Sequence, residues 1–315
     1  MSADPGNVGP EAAVSAVAPT AALLAEVFPG SHISELAYLE WLYQRSPFGP
    51  VIEANLDDEL GRAGHYALVP IGLTRDGAER NGALSLNTAV HERARGGGTF
   101  VRLASQTIAD AARRGVETVV GVANAASTPG FVRRLEFELL TPLPASMMIP
   151  TPGSRGGIRS GPADASAFAR GGLAGACQPL LAAPAIGEGR LWTEQTLSWR
   201  LARPGARYAL HRSAELLAVS CKDSRYGIPV AIVLKVFARS RLSDASRRAL
   251  VRVACRFHRA PLALHVGLNE LVDFPGLALP GRLRESPLNL IYRSLESQKR
   301  PASIVRFEFL DFDAY

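Results

Sequence analysis

Three consecutive glycines, Gly96, Gly97 and Gly98, stand between a strand-like run ending at Val90 and an amphipathic run beginning at Thr99. Glycine enters left-handed backbone conformations at little steric cost, so such a triplet can bring main-chain amides close to a ligand. A helix starting directly after it adds first-turn N–H groups without intrahelical acceptors and the positive end of its dipole. Val90 to Leu103 therefore reads as strand, anion-binding loop and helix, with a geometry suited to a pyrophosphate. No Gly-Lys-Ser/Thr follows, which excludes a Walker loop.

The flanks agree with that reading. HYALVPIGL from His65 and GALSLNTAV from Gly82 flank the turn residues Arg75-Asp76-Gly77, which predicts a hairpin feeding the loop. Alternation in the second strand would set Ala83, Ser85, Asn87 and Ala89 on one face and Leu84, Leu86, Thr88 and Val90 on the other, so the first face is the polar one on which a substrate could lie. Beyond the loop, Phe100, Leu103, Ala104, Thr107, Ile108 and Ala111 trace one face of a helix that stops at Arg113-Arg114-Gly115. A buried strand VETVVGVAN comes next, then a short helix from Thr128-Pro129 to Leu135 and a strand over Phe137–Leu140.

Upstream, Thr20 caps a helix through Phe28, and Leu36, Leu39, Leu42 and Tyr43 form the apolar stripe of a second helix ending at Pro47. Trp41 and Tyr43 either wall a ligand pocket or fill the core. Residues 1–19, rich in Ala, Pro, Gly and Ser, read as a disordered arm. The stretch from Pro142 to Gly172 is dense in Pro, Gly and Ser and reads as a linker or long loop.

The chain beyond this linker echoes the chain before it. Trp199 lies ahead of Pro204 and RYALH as Trp41 lies ahead of Pro47 and HYALV. Strand AIVLKVFAR, a helix from Ser243 to His258 and strand LALHVGLNE continue the echo, and FEFLDFDAY closes it as a last strand. The glycine loop is missing: ARSRLSD stands where the first half has ARGGGTF. The expected organisation is an arm over 1–19, a first domain over 20–148, a linker over 149–165 and a second domain over 166–315.

Composition narrows the function classes. At 315 residues, 47% apolar and 20% charged, the chain is globular and long enough for about two domains. Basic residues number 35 against 29 acidic, all arginine except Lys222, Lys235 and Lys299, and no basic run suggests a nucleic-acid partner. Cys177, Cys221 and Cys255 form no CxxC pair, and the six histidines show no metal-binding spacing, so neither a disulfide framework nor a metal is expected. Asp4 and Glu11 replace a basic leader, and no apolar run approaches the roughly 20 residues of a membrane span. The expectation is a cytoplasmic protein with no membrane partner, monomeric or homodimeric.

The order of elements and the loop together resemble the GNAT superfamily of acyl-CoA-dependent N-acyltransferases. Its pyrophosphate motif runs Arg or Gln, two free positions, Gly, one free position, then Gly or Ala. Arg95 and Gly98 match it, while Phe100 stands at the last place. Asn124 after the next strand and Phe137 closing the short helix match the later signature, with Glu136 in place of its Gly and Val132 in place of its usual Tyr. The resemblance implies an α/β (α+β layered) fold: two GNAT-like domains, each a mixed, mostly antiparallel sheet flanked by helices, the second degenerate.

It also implies the chemistry. Main-chain amides of Arg95, Gly96, Gly97, Gly98, Thr99 and Phe100 would bind the pyrophosphate of acetyl-CoA or another acyl-CoA, the pantetheine arm would pair with the strand ending at Val90, and Asn124 belongs to the same cofactor-binding set. An amide around Thr88 to Val90 would stabilise the oxyanion. Acyl transfer needs a neutral amine, so His65, beside the polar face, is the candidate base, and Asn87 with Ser85 would orient acceptor or water. The implied reaction is acyl transfer to a primary amine of a small molecule such as an amino sugar. The competing reading, favoured by Val132, Phe100 and Glu136, is a non-catalytic acyl-CoA sensor or interaction scaffold.

Overall fold

The computed structural model describes residues 10–163, 179–182, 184, 186–274, 276–278, 286–297 and 302–315, with side chains from residue 16 onward. In the first half, helices α1 (Pro10–Val27) and α2 (Leu36–Gln44) precede strands β1 (Ile52–Asp58), β2 (Gly61–Arg75) and β3 (Ala78–Val90). Then come α3 (Thr99–Arg113), β4 (Thr118–Ala123), α4 (Thr128–Arg134) and β5 (Glu138–Pro142). The expected hairpin is present, joined through Asp76 and Gly77 at φ 50° and 77°, and a third strand, β1, pairs antiparallel with β2.

Two expectations are corrected by these elements. Residues 10–19, expected in the arm, belong to α1, whose Val17, Leu23 and Leu24 are buried against Tyr38, Leu39 and Leu42 of α2. Apolar burial outweighs the lost N–H of Pro19, and residues 1–9 lie outside the described part. The Pro142–Gly172 stretch, expected to be linker or loop, contains β6 (Ala145–Met148), at the end of the expected first domain, and β7 (Arg159–Pro162), within the expected linker over 149–165.

The second half repeats the order. After β8 (Glu188–Arg190), α5 (Glu194–Leu201) leads into β9 (Tyr208–Arg212), β10 (Leu216–Arg225) and β11 (Ile228–Ala238). Helix α6 (Asp244–His258), β12 (Leu262–Asn269), β13 (Leu277–Ala278), β14 (Asn289–Ser294) and β15 (Ile304–Glu308) complete the chain. FEFLDFDAY supplies the end of β15 and a 3-10 turn over Phe309–Phe312.

Hydrogen bonding ties the halves together reciprocally. Strand β14, late in the chain, sits antiparallel between β4 and β5 of the first half. Strand β6, from the first half, sits antiparallel between β12 and β13 of the second. Ala145–Met148 and residues 289–294 thus pair across the boundaries expected from sequence. On the other side, β2 pairs with β8, β8 with β15 and β15 with β12, which makes one continuous sheet of 15 strands among the described residues. The two tryptophans that marked the repeat stack on each other, ring centroids 4.5 Å apart, and the Trp41 indole N–H donates to the Trp199 carbonyl at 3.1 Å.

Candidate active site

Strands β3 and β4 run parallel and pair only from Gly82↔Thr118 to Ser85↔Gly121. Beyond that rung β3 continues to Val90 while β4 ends at Ala123, so the two part into an open split. Just past the last rung β3 bulges. His65 pairs with Ala89 and Ala67 with Leu86, leaving one extra residue on β3, and Asn87 takes φ 51°. This corrects the simple alternation. Ala83 packs in the cluster under α3, but Ala89 packs with α1 and α2 on the opposite face.

The glycine loop lies between the end of β3 and the start of α3. Gly96, Gly97 and Gly98 all have positive φ, of 86°, 54° and 76°, and a Cβ at any of them would meet nothing within 4 Å. Gly98 caps α3 with no side-chain hydrogen bond. The first helical bond runs from Arg102 N–H to the Gly98 carbonyl at 2.9 Å, and Thr99 N–H turns back to Gly96 at 3.3 Å. The Phe100 and Val101 amides are left without an intrahelical acceptor at the positive end of α3. Arg95 is exposed, and its Nε donates to the Val90 carbonyl at 3.2 Å, so an arm pairing there must displace that guanidinium.

The other expected cofactor residues divide by atom. The Phe100 ring turns inward to pack edge-on against Phe131 at 5.2 Å, so only its main chain faces the loop. Thr99 is likewise buried. Asn124 is exposed at the end of β4 and serves the turn into α4: its Oδ1 accepts from Ser127 N–H at 2.9 Å and from the Ser127 hydroxyl at 3.0 Å.

His65 is fully buried beside the bulge. Its Nδ1 lies 2.7 Å from Asn55 Oδ1 and its Nε2 lies 2.9 Å from the Tyr43 hydroxyl, which also accepts from Asn87 Nδ2 at 3.3 Å. An amide oxygen at Nδ1 fixes the proton there, so Nε2 accepts from Tyr43. Burial, aided by the Arg62 charge, pushes His65 down to about 3. The expectation of a ring titrating near neutral pH is therefore corrected, and His65 is a neutral member of a satisfied network. Glu53, whose Oε2 lies 3.4 Å from Nδ1, escaped the sequence reading because β1 did. Partial burial raises its carboxyl.

The second half shows how such a split is closed. Strands β11 and β12 pair from Val230↔Leu262 to Val233↔His265 and part, and β11 bulges next to the last rung. Here Glu308 of β15 bridges the parting strands: its Oε1 accepts from Val236 N–H at 3.3 Å and lies 2.9 Å from His265 Nε2. Lys235 Nζ sits 3.0 Å from Glu308 Oε2 and 2.7 Å from Asp311 Oδ2, all three residues being buried. Burial alone would raise the Glu308 carboxyl, but Lys235 and His265 hold it below the usual range. The helix that comes next is occupied too, since Ser243 Oγ accepts from Ser246 N–H at 3.1 Å and Asp244 adds a negative charge in the first turn.

No known family profile matches the chain, and no curated protein matches its sequence. Solved structures do match its fold. A GCN5-related N-acetyltransferase from Anabaena variabilis superimposes with TM-score 0.62 at 12% identity, covering 90% of this chain and 71% of its own. A probable N-acyltransferase from Enterococcus faecalis gives 0.60 at 14% identity, covering 88% and 70%. The chain shares the fold of these acyltransferase structures. Saccharomyces cerevisiae N-myristoyltransferase, solved with bound myristoyl-CoA, also matches, with TM-score 0.52 at 9% identity over 87% of this chain and 78% of its own. The two halves of this chain differ at the split: the first is open and followed by a glycine loop, and the second is bridged by Glu308. Among the described residues no cluster of His, Cys, Asp or Glu could hold a metal, and no helix is long and apolar enough to cross a membrane.

Proposed function

We propose that the protein transfers an acyl group from acyl-CoA to the primary amine of a small molecule, using the first half alone. The observation that carries this reading is the open β3/β4 split followed by three positive-φ glycines and an uncapped helix. The loop amides and the α3 dipole hold the pyrophosphate, and the free edge of β3 receives the pantetheine arm. The amine nitrogen bonds to the thioester carbon, the C–S bond breaks, and the amine proton leaves to water or to an acceptor such as Glu53. A thiolate leaves with a pKa of about 8.5, by analogy with cysteine, so it requires little acid assistance. Amino sugars, small amines and amino acids are the acceptor classes we favour, in a cytoplasmic protein that acts as a monomer or homodimer.

Two observations favour a second reading, an acyl-CoA sensor: burial keeps His65 neutral, and Val132 stands where the fold family usually carries a tyrosine. Incubating the protein with acetyl-CoA and longer acyl-CoAs over a panel of amines, while following free thiol, separates the two. Thiol release that depends on the amine supports the enzyme. Binding without release supports the sensor, and neither would sink both.

A further inference from the structure

The vertex of the first split carries a pair of hydroxyls. Ser85 and Gly121 form the last rung between β3 and β4, and Ser85 Oγ lies 2.9 Å from the Tyr66 hydroxyl. Both side chains are buried, and the Tyr66 ring is set among Phe100 and Phe131. Across the rung, a Cβ on Gly121 would lie 3.2 Å from the Ser85 Cβ, so only glycine leaves that corner free.

The strand itself measures the distance from loop to vertex. Leu86 to Val90 lie beyond the last rung, five residues of which one is the extra residue of the bulge, so the run spans about 13 Å at roughly 3.3 Å for each of the other four. An extended pantetheine arm has a comparable reach from pyrophosphate to sulfur. With the pyrophosphate on Gly96–Gly98, the sulfur arrives at Ser85.

Resting on the acyl-CoA reading above, we propose that Ser85 is the catalytic residue that meets the departing sulfur, and that Tyr66 is a positioning residue for it. Either hydroxyl can donate across this contact; in the arrangement we assign, the Tyr66 O–H donates to Ser85 Oγ, and the Ser85 proton is then free to point into the vertex. As the C–N bond forms and the C–S bond breaks, the electron pair stays on sulfur, and the Ser85 O–H donates a hydrogen bond to the thiolate. Neither hydroxyl loses its proton, since a thiolate is too weak a base to take one from an alcohol. Ser85 thereby takes over the stabilisation that a tyrosine at position 132 would otherwise supply.

The test needs no acceptor. Free CoA is bound to the protein, and its thiol is titrated through the ultraviolet absorbance of the thiolate. A donor to sulfur favours the charged form, so Ser85→Ala should raise the bound thiol's pKa by about one unit. Tyr66→Phe should shift it the same way by less, and Ser85→Thr, which keeps the hydroxyl, should restore it. Affinity for CoA at neutral pH should stay within about twofold, because the loop supplies it. An unchanged titration in CoA-bound Ser85→Ala overturns this inference and leaves the acyl-CoA reading standing. Should Ser85→Ala fail to fold, an unchanged titration in Tyr66→Phe overturns it instead. If the unaltered protein binds no CoA, the acyl-CoA reading itself falls.

Discussion

Gly98 is the residue on which anion binding by the loop turns. It caps α3 at φ 76° with open space around it, so a substitution there meets backbone strain and no steric wall. Gly98→Glu places a carboxylate against the pyrophosphate and should weaken CoA binding at least about 100-fold by calorimetry. Gly98→Asn, which tolerates the left-handed conformation and adds no charge, should keep most of it. Equal losses in both would show that strain, not charge, is decisive. The histidines support a second prediction. Ser220 Oγ lies 2.7 Å from Nε2 of both His211 and His258, and burial lowers both rings to about 4. The unfolded chain binds protons near 6.5, above these native values, so stability should fall as pH drops from about 6.5 through 4. The loss should be on the order of 3 kcal/mol for His211. Denaturant unfolding at pH 7 and pH 4.5 measures it, and a flat profile would contradict the buried neutral pair.

At the scale of elements, two helices at equivalent places have opposite N-termini. Helix α6 begins with a Ser243 cap and an acid, whereas α3 begins with a bare glycine. Ser243→Ala should cost about 1 kcal/mol of stability, measured by chemical denaturation, and should create no second CoA site; a second site would show that the cap alone blocks binding. Much of this contrast was legible in ARGGGTF against ARSRLSD, because glycine content and capping residues act locally. The hairpin and α3 were legible for the same reason. The features that were not legible are non-local. The bulge at Asn87 depends on how β2 registers with β3, and it undoes the alternation read from GALSLNTAV. His65 looked like a base because it is a histidine, while its depressed pKa comes from burial among Tyr43, Asn55 and Arg62. Glu308 gave no local sign that it would reach β11 and β12.

Over the whole molecule, the halves exchange strands: β14 completes the first sheet region and β6 the second. Ile291 of β14 is 1% exposed and sits in the core under α3, so residues 1–148 alone lack part of their core. Expressed alone, that fragment should fail to unfold cooperatively, and co-expression with residues 149–315 should restore a cooperative transition. An independently stable 1–148 would contradict the exchange. The closed second split results from the same economy of one sheet, since β15 bridges β8 and β12 while Glu308 fills the gap beside β11. Each chain thus carries one open split and one closed split, and a calorimetric titration of the intact protein with acetyl-CoA counts the sites they provide. The expected result is one site per chain, abolished by Gly98→Glu; two sites, none, or one that survives the substitution would contradict it.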